Sequence, residues 1–422
     1  MTTPSIALVP SGYKATKLYS QLPTNGNGDF TVDRNSVANR VNSNGLLEEM
    51  AIDVPRLDYS DGTCPSLLTE PQSTNLVTYS NDFTNGVWVK TNSSITSNQA
   101  ISPDGTQNAD LMTSTLAGSY IAFSVAVADP CTFSVFAKYN TQQFIQLHSG
   151  ASGSFYANFD IQNGVVGTNG SLTTNVEIED YGNGWYRCSA TFTTIAVGST
   201  VRIGFAETLS STWGALNSVS GNSLYLYQSQ HESLSYATSP IFTSGATATR
   251  IADVVNGSGT VNDFNSSEGA LFVNSSALFN DGTIRSVGIS DGTGINRVNI
   301  RYNTVSNQIE YSLFVSGETT KTLLYNVADV TQYSKIAVSW KVNDLKFYIN
   351  GTLVGSTSSA VMMPSNTLNQ LRLDSGAGAS QFYGKVKQLQ VHKTALTDLE
   401  IESLTGFSSF SLMAEYLNYT IY

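Results

Sequence analysis

The chain has 422 residues, enough for two or three domains that each bury a core of their own. Only 13% of the residues are charged and 10% are aromatic, with Ser, Thr, Asn and Gly abundant among the rest, so the composition predicts an all-β protein. The net charge of −11 argues against the basic surface that nucleic acid binding needs, and no apolar run is long enough to span a membrane. We therefore expect neither nucleic acid nor a membrane as a partner.

The first 73 residues show no sustained hydrophobic period. Residues 1–28 combine one short apolar patch with turn residues, and residues 29–83 hold clustered charge and are interrupted by Pro55, Pro65 and Pro71. We expect residues 1–73 to order by docking on the next domain or on another protein, and to be dispensable for the folding of the domains after residue 73. No secretory signal pattern opens the sequence, so export by that route is not expected.

Residues 74–253 consist of strand-like runs of five to ten residues separated by turn residues, a spacing that predicts an antiparallel β-sandwich. The alternation is clearest in residues 185–192. Their even-numbered residues are expected on one face of the strand and their odd-numbered residues on the other.

Residues 254–406 form a second strand-rich block. Its strongest local signal is a hairpin in which Asn350-Gly351 joins the strand of residues 345–349 to the one that begins at Thr352. Thr397 followed by Glu400 forms a capping box and predicts one short helix over residues 397–404. The last residues, 407–422, are rich in Phe, Tyr and Leu and are expected to pack back on the chain or to make an intermolecular contact.

Three stretches of the chain resemble known families. The N-terminal segment resembles a recurrent segment of tailed-bacteriophage virion proteins, especially those of phages with Bacteroidetes-type hosts; the matching elements are residues 10–15, 28–31, 39–42, 53–59 and 67–76. The middle block is similar to the carbohydrate-binding-module-like jelly rolls that follow this segment, in residues 133–138, 184–188, 236–241 and 249–253. The third block resembles a laminin-G or concanavalin-A-like sandwich in Trp340 and in residues 347–351 and 395–401.

These resemblances imply a structural component of a phage virion, such as a tail or head fibre, assembled in the host cytoplasm. Residues 1–73 would attach it to other virion proteins, and the two sandwiches, residues 74–253 and 254–406, would bind host surface glycans. A fibre implies a homo-oligomer, and we expect a trimer. The alternatives are a capsid-decorating or tail-assembly protein that binds no glycan, and a glycan depolymerase.

Groups suited to catalysis are scarce. The three histidines lie in separate strand-like runs, so no Ser-His-Asp arrangement is indicated. A carboxylate pair for glycoside cleavage would have to come from Glu177 with Asp180 or from Asp281 with Asp291, and both pairs lie near turns, where acidic residues are common. We therefore expect no catalytic residue, no enzymatic activity and no organic cofactor.

Aromatic residues near loops are better candidates for binding, because sugar rings stack on exposed aromatic faces. Trp213 lies in the loop of residues 210–221, and Tyr120 and Trp88 lie near strand starts. Asp281 and Asp291 lie in loops of the third block, where the laminin-G-like resemblance implies calcium bound through loop oxygens. Ordinary packing is the alternative for the aromatic residues, and two hairpin turns are the alternative for the aspartates.

Overall fold

A computed structural model describes residues 2–124, 129–149, 153–193, 200–216 and 219–406, and over these ranges the chain is all-β apart from one short helix, as its composition predicts. The early strands are β1 (Ile6–Leu8), β2 (Tyr13–Lys14), β3 (Lys17–Leu18), β4 (Phe30–Asp33), β5 (Ala38–Val41), β6 (Leu47–Met50), β7 (Arg56–Asp58), β8 (Ser66–Thr69) and β9 (Ser73–Asn75). The middle strands are β10 (Val89–Thr91), β11 (Ser93–Ile101), β12 (Gln107–Ser114), β13 (Tyr120–Ser124), β14 (Cys131–Tyr139), β15 (Phe144–Ser149), β16 (Tyr156–Asp160), β17 (Val165–Asn169), β18 (Thr173–Asp180), β19 (Trp185–Phe192), β20 (Thr200–Phe205), β21 (Ser223–Glu232) and β22 (Ala248–Arg250). The remaining elements are β23 (Val254–Asn256), β24 (Glu268–Ala277), β25 (Arg285–Ser290), β26 (Arg297–Tyr302), β27 (Gln308–Val315), β28 (Glu318–Asn326), β29 (Ser334–Lys341), β30 (Asp344–Ile349), β31 (Thr352–Thr357), β32 (Gln370–Arg372), β33 (Gly384–His392) and α1 (Asp398–Gly406). No helix in the described ranges is long and apolar enough to cross a membrane.

The described chain forms two compact units. Their limits near residues 72 and 252 are close to the predicted boundaries at 73 and 253, but each unit also contains part of residues 1–73. Unit 1 contains residues 2–37, 50–71 and 252–406, and unit 2 contains residues 38–49, 72–124, 129–149, 153–193, 200–216 and 219–251. The N-terminal segment, predicted as one separate segment of residues 1–73 that docks on the next domain or on another protein, is divided between the two units. The expected C-terminal tail, residues 407–422, lies outside the described residues.

Unit 1 is a sandwich of two antiparallel sheets. One sheet has the order β31-β30-β29-β24-β33-β8-β7, with β1 also pairing with β33, and the other has the order β28-β27-β26-β25-β32. The N-terminal segment is part of this sandwich, because β8 pairs with β33 in the register Leu67↔Val386 and β7 pairs with β8. Its apolar residues also enter the core, namely Ile6, Leu8, Leu18, Phe30, Val32, Leu57 and Leu67. The expectation that residues 1–73 are dispensable for folding therefore conflicts with the structure.

A buried ionic cluster fixes the N-terminal segment within unit 1. The Arg56 guanidinium lies between the carboxylates of Glu70 and Asp253, and Arg34 donates to the other oxygen of Asp253 at 3.0 Å. Both arginine side chains are fully buried. Burial opposes the charge of Arg56, but the two carboxylates outweigh it and raise the pKa of its guanidinium above the ordinary value.

Unit 2 is a sandwich of two six-stranded antiparallel sheets, ordered β10-β13-β20-β15-β16-β17 and β11-β12-β21-β14-β19-β18. The alternation predicted for residues 185–192 is confirmed, since Cys188, Ala190 and Phe192 are buried in the core between the sheets. On the opposite face of the second sheet, Trp185 packs in a separate apolar cluster with Val41 and Leu47 of the β5–β6 hairpin. The hairpin from the N-terminal segment thus covers the outer face of this sheet.

Two local predictions in the third block are confirmed. Asn350 and Gly351 both adopt left-handed backbone conformations, with φ of 49° and 82°, and join β30 to β31. Glu400 accepts a hydrogen bond from the Thr397 backbone nitrogen at 2.8 Å, and the Glu400 backbone nitrogen donates to the Thr397 hydroxyl at 3.4 Å. These two bonds form the predicted capping box at the start of α1.

Candidate functional site

In unit 2, the sheet with the strand order β10-β13-β20-β15-β16-β17 presents polar side chains from adjacent strands on its outer face. On β15, Ile145 and Leu147 point into the core, so Gln146 and His148 point outward. The same alternation directs Asn158 of β16, Arg202 of β20 and Tyr120 of β13 to this side. We call the outward surface formed by Tyr120, Gln146, His148, Asn158 and Arg202 the polar face.

Two buried amides on the polar face hold the loop of residues 207–216 against the sheet. Gln146 donates to the Thr212 carbonyl at 3.1 Å and accepts from the Gly214 backbone nitrogen at 2.9 Å. Asn158 donates to the Ser211 carbonyl at 2.7 Å, and Gln146 donates to the Asn158 side-chain oxygen at 2.9 Å. Because each amide is buried and hydrogen-bonded, the loop has a defined position on the sheet.

This loop places Trp213 at the polar face. The Trp213 indole nitrogen donates to the Ser149 carbonyl at 2.9 Å, which fixes the orientation of the ring. The residue is half-buried, whereas Trp88, Trp185 and Trp340 are at most 1% exposed. Trp213 is thus the one tryptophan of the chain's four with an accessible surface.

His148 lies between the two aromatic candidates predicted from the sequence. Its ring centroid is 6.2 Å from that of Tyr120 and 5.9 Å from that of Trp213, both in edge-to-face geometry. Burial, and then the positive charge of Arg202, lower the pKa of His148 to about 3, so the imidazole is neutral near pH 7. Among the described residues neither ring nitrogen has a partner at hydrogen-bond geometry, although the Ser149 backbone acts on the imidazole in the direction that raises its pKa. The ring nitrogens of His231, in the core of unit 2, also have no partner among the described residues. His148 differs from His231 because it contacts two accessible aromatic residues.

Arg202 adds a cation to the polar face. Its guanidinium carbon lies 4.8 Å from the centroid of the Tyr120 ring, a cation–π contact, and Arg202 is directly opposite His148 in the β15–β20 register. Its buried Nε has no hydrogen-bond partner among the residues that the structure describes. The polar face therefore combines two half-buried aromatic rings, one arginine and a rigid polar floor, which are the groups that stack on sugar rings and bind their hydroxyl groups.

The predicted binding residues have different positions. Tyr120 and Trp213 both contact His148 of the polar face in edge-to-face geometry. Trp88 does not, because it is 1% exposed and packs against Phe83 and Phe123 in the core of unit 2. The prediction that Trp88 contacts a sugar conflicts with this burial, and the packing alternative describes it correctly.

Sequence reasoning did not identify Gln146, His148, Asn158 and Arg202. The signal was present in the alternation, since Gln146 and His148 interrupt an apolar strand at every second position and Arg202 lies between Val201 and Ile203. Which outward-facing residues are left accessible depends on the cover of each sheet, and the pattern of a single strand does not contain that information.

The two aspartates suggested for calcium lie at opposite ends of β25. Asp281 forms an ion pair with Arg285 at 2.8 Å and accepts from the Thr283 backbone nitrogen. Asp291 accepts from the Thr293 backbone nitrogen and the Asn296 amide, both at 2.9 Å. Among the residues that the structure describes, no three acidic, histidine or cysteine groups converge on a common point. The geometry thus favours the alternative of two separate turns.

The carboxylate pairs considered for glycoside cleavage are not arranged as pairs. Glu177 and Asp180 are three residues apart on β18 in an uninterrupted register, so their side chains point to opposite faces of the sheet. Asp281 and Asp291 are separated by the length of β25. Neither set resembles two carboxylates flanking one scissile bond.

Unit 1 also exposes arginine on the outer face of its five-stranded sheet. Arg301 pairs with Glu310 at 2.8 Å and Arg372 pairs with Asp374 at 2.8 Å. The Arg297 guanidinium instead lies 3.9 Å from the centroid of the Phe314 ring. Arg297 and Phe314 are both half-buried and lie opposite each other on β26 and β27.

Comparison with solved structures gives matches to parts of the chain. The CBM40 of Ruminococcus gnavus IT-sialidase, bound to alpha2,3 sialyllactose, is 18% identical, covering 33% of this chain and 83% of its own, with a TM-score of 0.29. Domain 4 of AbnA, a GH43 extracellular arabinanase from Geobacillus stearothermophilus in complex with arabinotriose, is 11% identical, covering 38% and 77%, with a TM-score of 0.31. Sheep galectin-11 in complex with glycerol is 10% identical, covering 29% and 88%, with a TM-score of 0.22. At these identities and TM-scores we draw no conclusion from them about the ligand of this chain.

Comparison with sequences supports the interpretation of the third block. No curated protein matches the chain. A family model described as the concanavalin A-like lectin/glucanases superfamily matches residues 270–402. The match covers most of the block that we predicted to be laminin-G or concanavalin-A-like, and it confirms that resemblance for this part of the chain.

Proposed function

We propose that the protein is a non-enzymatic, glycan-binding component of a tailed-phage virion, a tail or head fibre that displays its two sandwiches to the host surface. The observation that supports glycan binding most directly is the meeting of Tyr120, His148, Arg202 and Trp213 on one face of unit 2. The concanavalin A-like match of residues 270–402 supports the same activity for unit 1. The virion role rests on the sequence resemblance of the N-terminal segment.

In this proposal a sugar ring stacks on the accessible surface of Trp213, and the neighbouring polar groups bind its substituents. The indole is already oriented by its bond to Ser149, and the loop under it is held by Gln146 and Asn158. Little conformational entropy is then lost on binding, which favours affinity at a small site. Single sites of this kind bind weakly, and a trimeric fibre present in many copies would convert weak contacts into firm attachment.

Attachment to the particle would use the exposed surface of the N-terminal segment, since its backbone is built into the two units. Ile52 and Val37 are apolar side chains of this segment that are 49% and 47% exposed. Exposed apolar groups of this kind are suited to a protein contact. We expect Ile52→Asp to lower incorporation into particles while the purified protein keeps its melting temperature, and normal incorporation would exclude this side chain from the contact.

Glycan binding is tested with Trp213→Ala and Tyr120→Ala against cells and purified surface polysaccharide of Bacteroidetes hosts. We expect each change to weaken binding about two- to tenfold, because stacking on an aromatic ring is worth roughly 0.5–1.5 kcal/mol. Leu399→Ala is the control, since Leu399 is 70% exposed on α1, far in sequence from the polar face. Binding that survives both aromatic substitutions, with the fold intact, would remove the polar face from consideration.

The two alternatives predict different results. A capsid-decorating or tail-assembly protein would bind no cells and no polysaccharide while still being present in purified virions. A depolymerase would release oligosaccharides from host capsule, an activity for which the separated carboxylates of the described chain give no support.

A further inference from the structure

The arginines of this chain differ sharply in how their charge is balanced. Of the ten, six form ion pairs with carboxylates, namely Arg34, Arg40, Arg56, Arg285, Arg301 and Arg372. Two more, Arg187 and Arg250, are at most 2% exposed and donate to the buried hydroxyl groups of Ser134 and Thr238. Arg202 and Arg297 remain, and within the described ranges neither has a carboxylate within ion-pair distance.

These two residues share a second property, since each guanidinium lies over an aromatic ring. Arg202 lies over Tyr120 in unit 2, and Arg297 lies over Phe314 in unit 1. Stacking on a ring orients a guanidinium without using its in-plane N–H donors. Both arginines are only half-buried, although the Nε of Arg202 is buried and the Nε of Arg297 can donate to the Asn299 side-chain oxygen at 3.3 Å.

The electrostatic surroundings of both residues favour an added anion. Burial and the charge of Arg301 lower the pKa of Arg297, although Asp291 acts in the opposite direction. At the polar face, His148 is neutral near pH 7 and therefore does not balance the charge of Arg202. An unbalanced, partly desolvated cation is stabilised when a negative group pairs with it.

The overall charge of the protein makes this arrangement more significant. The chain has 32 acidic and 21 basic residues, so at long range it repels a polyanion. Nonspecific attraction to an acidic polymer is therefore unfavourable, and binding to one would need local sites.

We propose that the glycan recognised by this protein contains acidic sugars, and that Arg202 and Arg297 each pair with a sugar carboxylate. This inference rests on the proposed glycan-binding function and specifies its ligand class. A carboxylate accepts two parallel N–H donors from a guanidinium, and such charge-assisted bonds are stronger than bonds to neutral hydroxyl groups. On the polar face, Trp213 would contact the sugar ring while Arg202 binds its acid group.

The test uses full-length protein and four acidic polysaccharides: polygalacturonate, polyglucuronate, alginate and polysialic acid. Each is compared with its own carboxyl-reduced form, which has neutral hydroxymethyl groups instead of acids. We expect binding to at least one acidic polymer, and a Kd that is about tenfold or more higher for the reduced form of that polymer. Arg202→Gln and Arg297→Gln should each weaken binding to the acidic polymer, and the double variant should bind it no better than the reduced form.

Two further variants separate recognition from charge. Lys341→Gln also removes one positive charge, from a side chain that is 57% exposed, and should leave Kd unchanged. Arg202→Lys keeps the charge but loses the paired donors of the planar guanidinium, so its Kd should lie between those of the wild type and Arg202→Gln.

The inference is overturned if none of the acidic polymers binds, or if acidic and reduced forms bind equally and the arginine variants match the wild type. In either case a loss of cell binding in Trp213→Ala would still support the proposed function, so the two failures are distinguishable. If Lys341→Gln weakens binding as much as the arginine variants, the effect is one of overall charge and the inference is also overturned.

Discussion

Arg56→Met tests whether the N-terminal segment is a structural part of unit 1. The substitution leaves an unbranched apolar side chain of similar length between the Glu70 and Asp253 carboxylates, all within a fully buried cluster. Asp253 would keep Arg34 and the Glu70 backbone nitrogen as partners, whereas Glu70 would lose the charge-assisted hydrogen bond that Arg56 donates to it. Removing one member of a buried ion pair costs about 3–5 kcal/mol. For a unit of this size that corresponds to a fall in melting temperature of roughly 6–20 °C.

The assay is differential scanning calorimetry combined with hydrogen exchange of the β33 amides, which pair with β8. We expect the transition of unit 1 to move and that of unit 2 to stay in place. The double variant Arg56→Met with Glu70→Gln should recover part of the lost stability, because the buried carboxylate that Arg56 balances is then replaced by a neutral amide. Lys341→Met, which removes a surface pair with Glu268 at 3.9 Å, should change stability by about 1 kcal/mol or less. An Arg56→Met protein that melts like the wild type would refute the reasoning.

Three further outcomes are expected from the fold and its charges. A protein lacking residues 1–73 should be insoluble or rapidly proteolysed, because unit 1 loses two strands beside β33 and seven core residues; soluble, protease-resistant protein would contradict this. Unit 2 should lose stability between pH 7.5 and pH 5. Burial and the charge of Arg202 lower the pKa of His148 to about 3, and burial lowers the pKa of His231 to about 4. As pH falls below about 6.5, the unfolded chain therefore binds more protons than the native state does. Each histidine should contribute about 2 kcal/mol to that loss, and urea unfolding of His148→Gln at both pH values should show a smaller loss. Thr397→Ala should destabilise α1 by about 1 kcal/mol, visible as faster amide exchange in residues 398–406 than in the wild type.

Much of the architecture was predictable because it depends on local patterns. The all-β class, the Asn350-Gly351 hairpin and the capping box at Thr397 each depend on neighbouring residues and were all found. The role of the N-terminal segment was not predictable in the same way. Its strands have two to four residues, too short for a period to be visible, and their partners such as Val386 are more than 300 residues away.

The candidate site was partly predictable for the same reason. Tyr120 and Trp213 could be named as aromatic residues near loops, but Trp88 satisfied the same description and is buried. Only the folded sheet shows that residues 93 positions apart in the sequence lie on either side of His148. The alternation predicts that Arg202 points outward, but its accessibility depends on which sheet of unit 2 the β5–β6 hairpin covers.

The central claim, that a glycan binds at the polar face, is tested most directly by acrylamide quenching of tryptophan fluorescence. Three of the four tryptophans are at most 1% exposed, so Trp213 should account for nearly all rapid quenching, and Trp213→Phe should remove it. The measurement is made with increasing amounts of a polysaccharide shown independently to bind. We predict that quenching falls in step with occupancy. Saturating glycan that leaves Trp213 as quenchable as before would contradict the account.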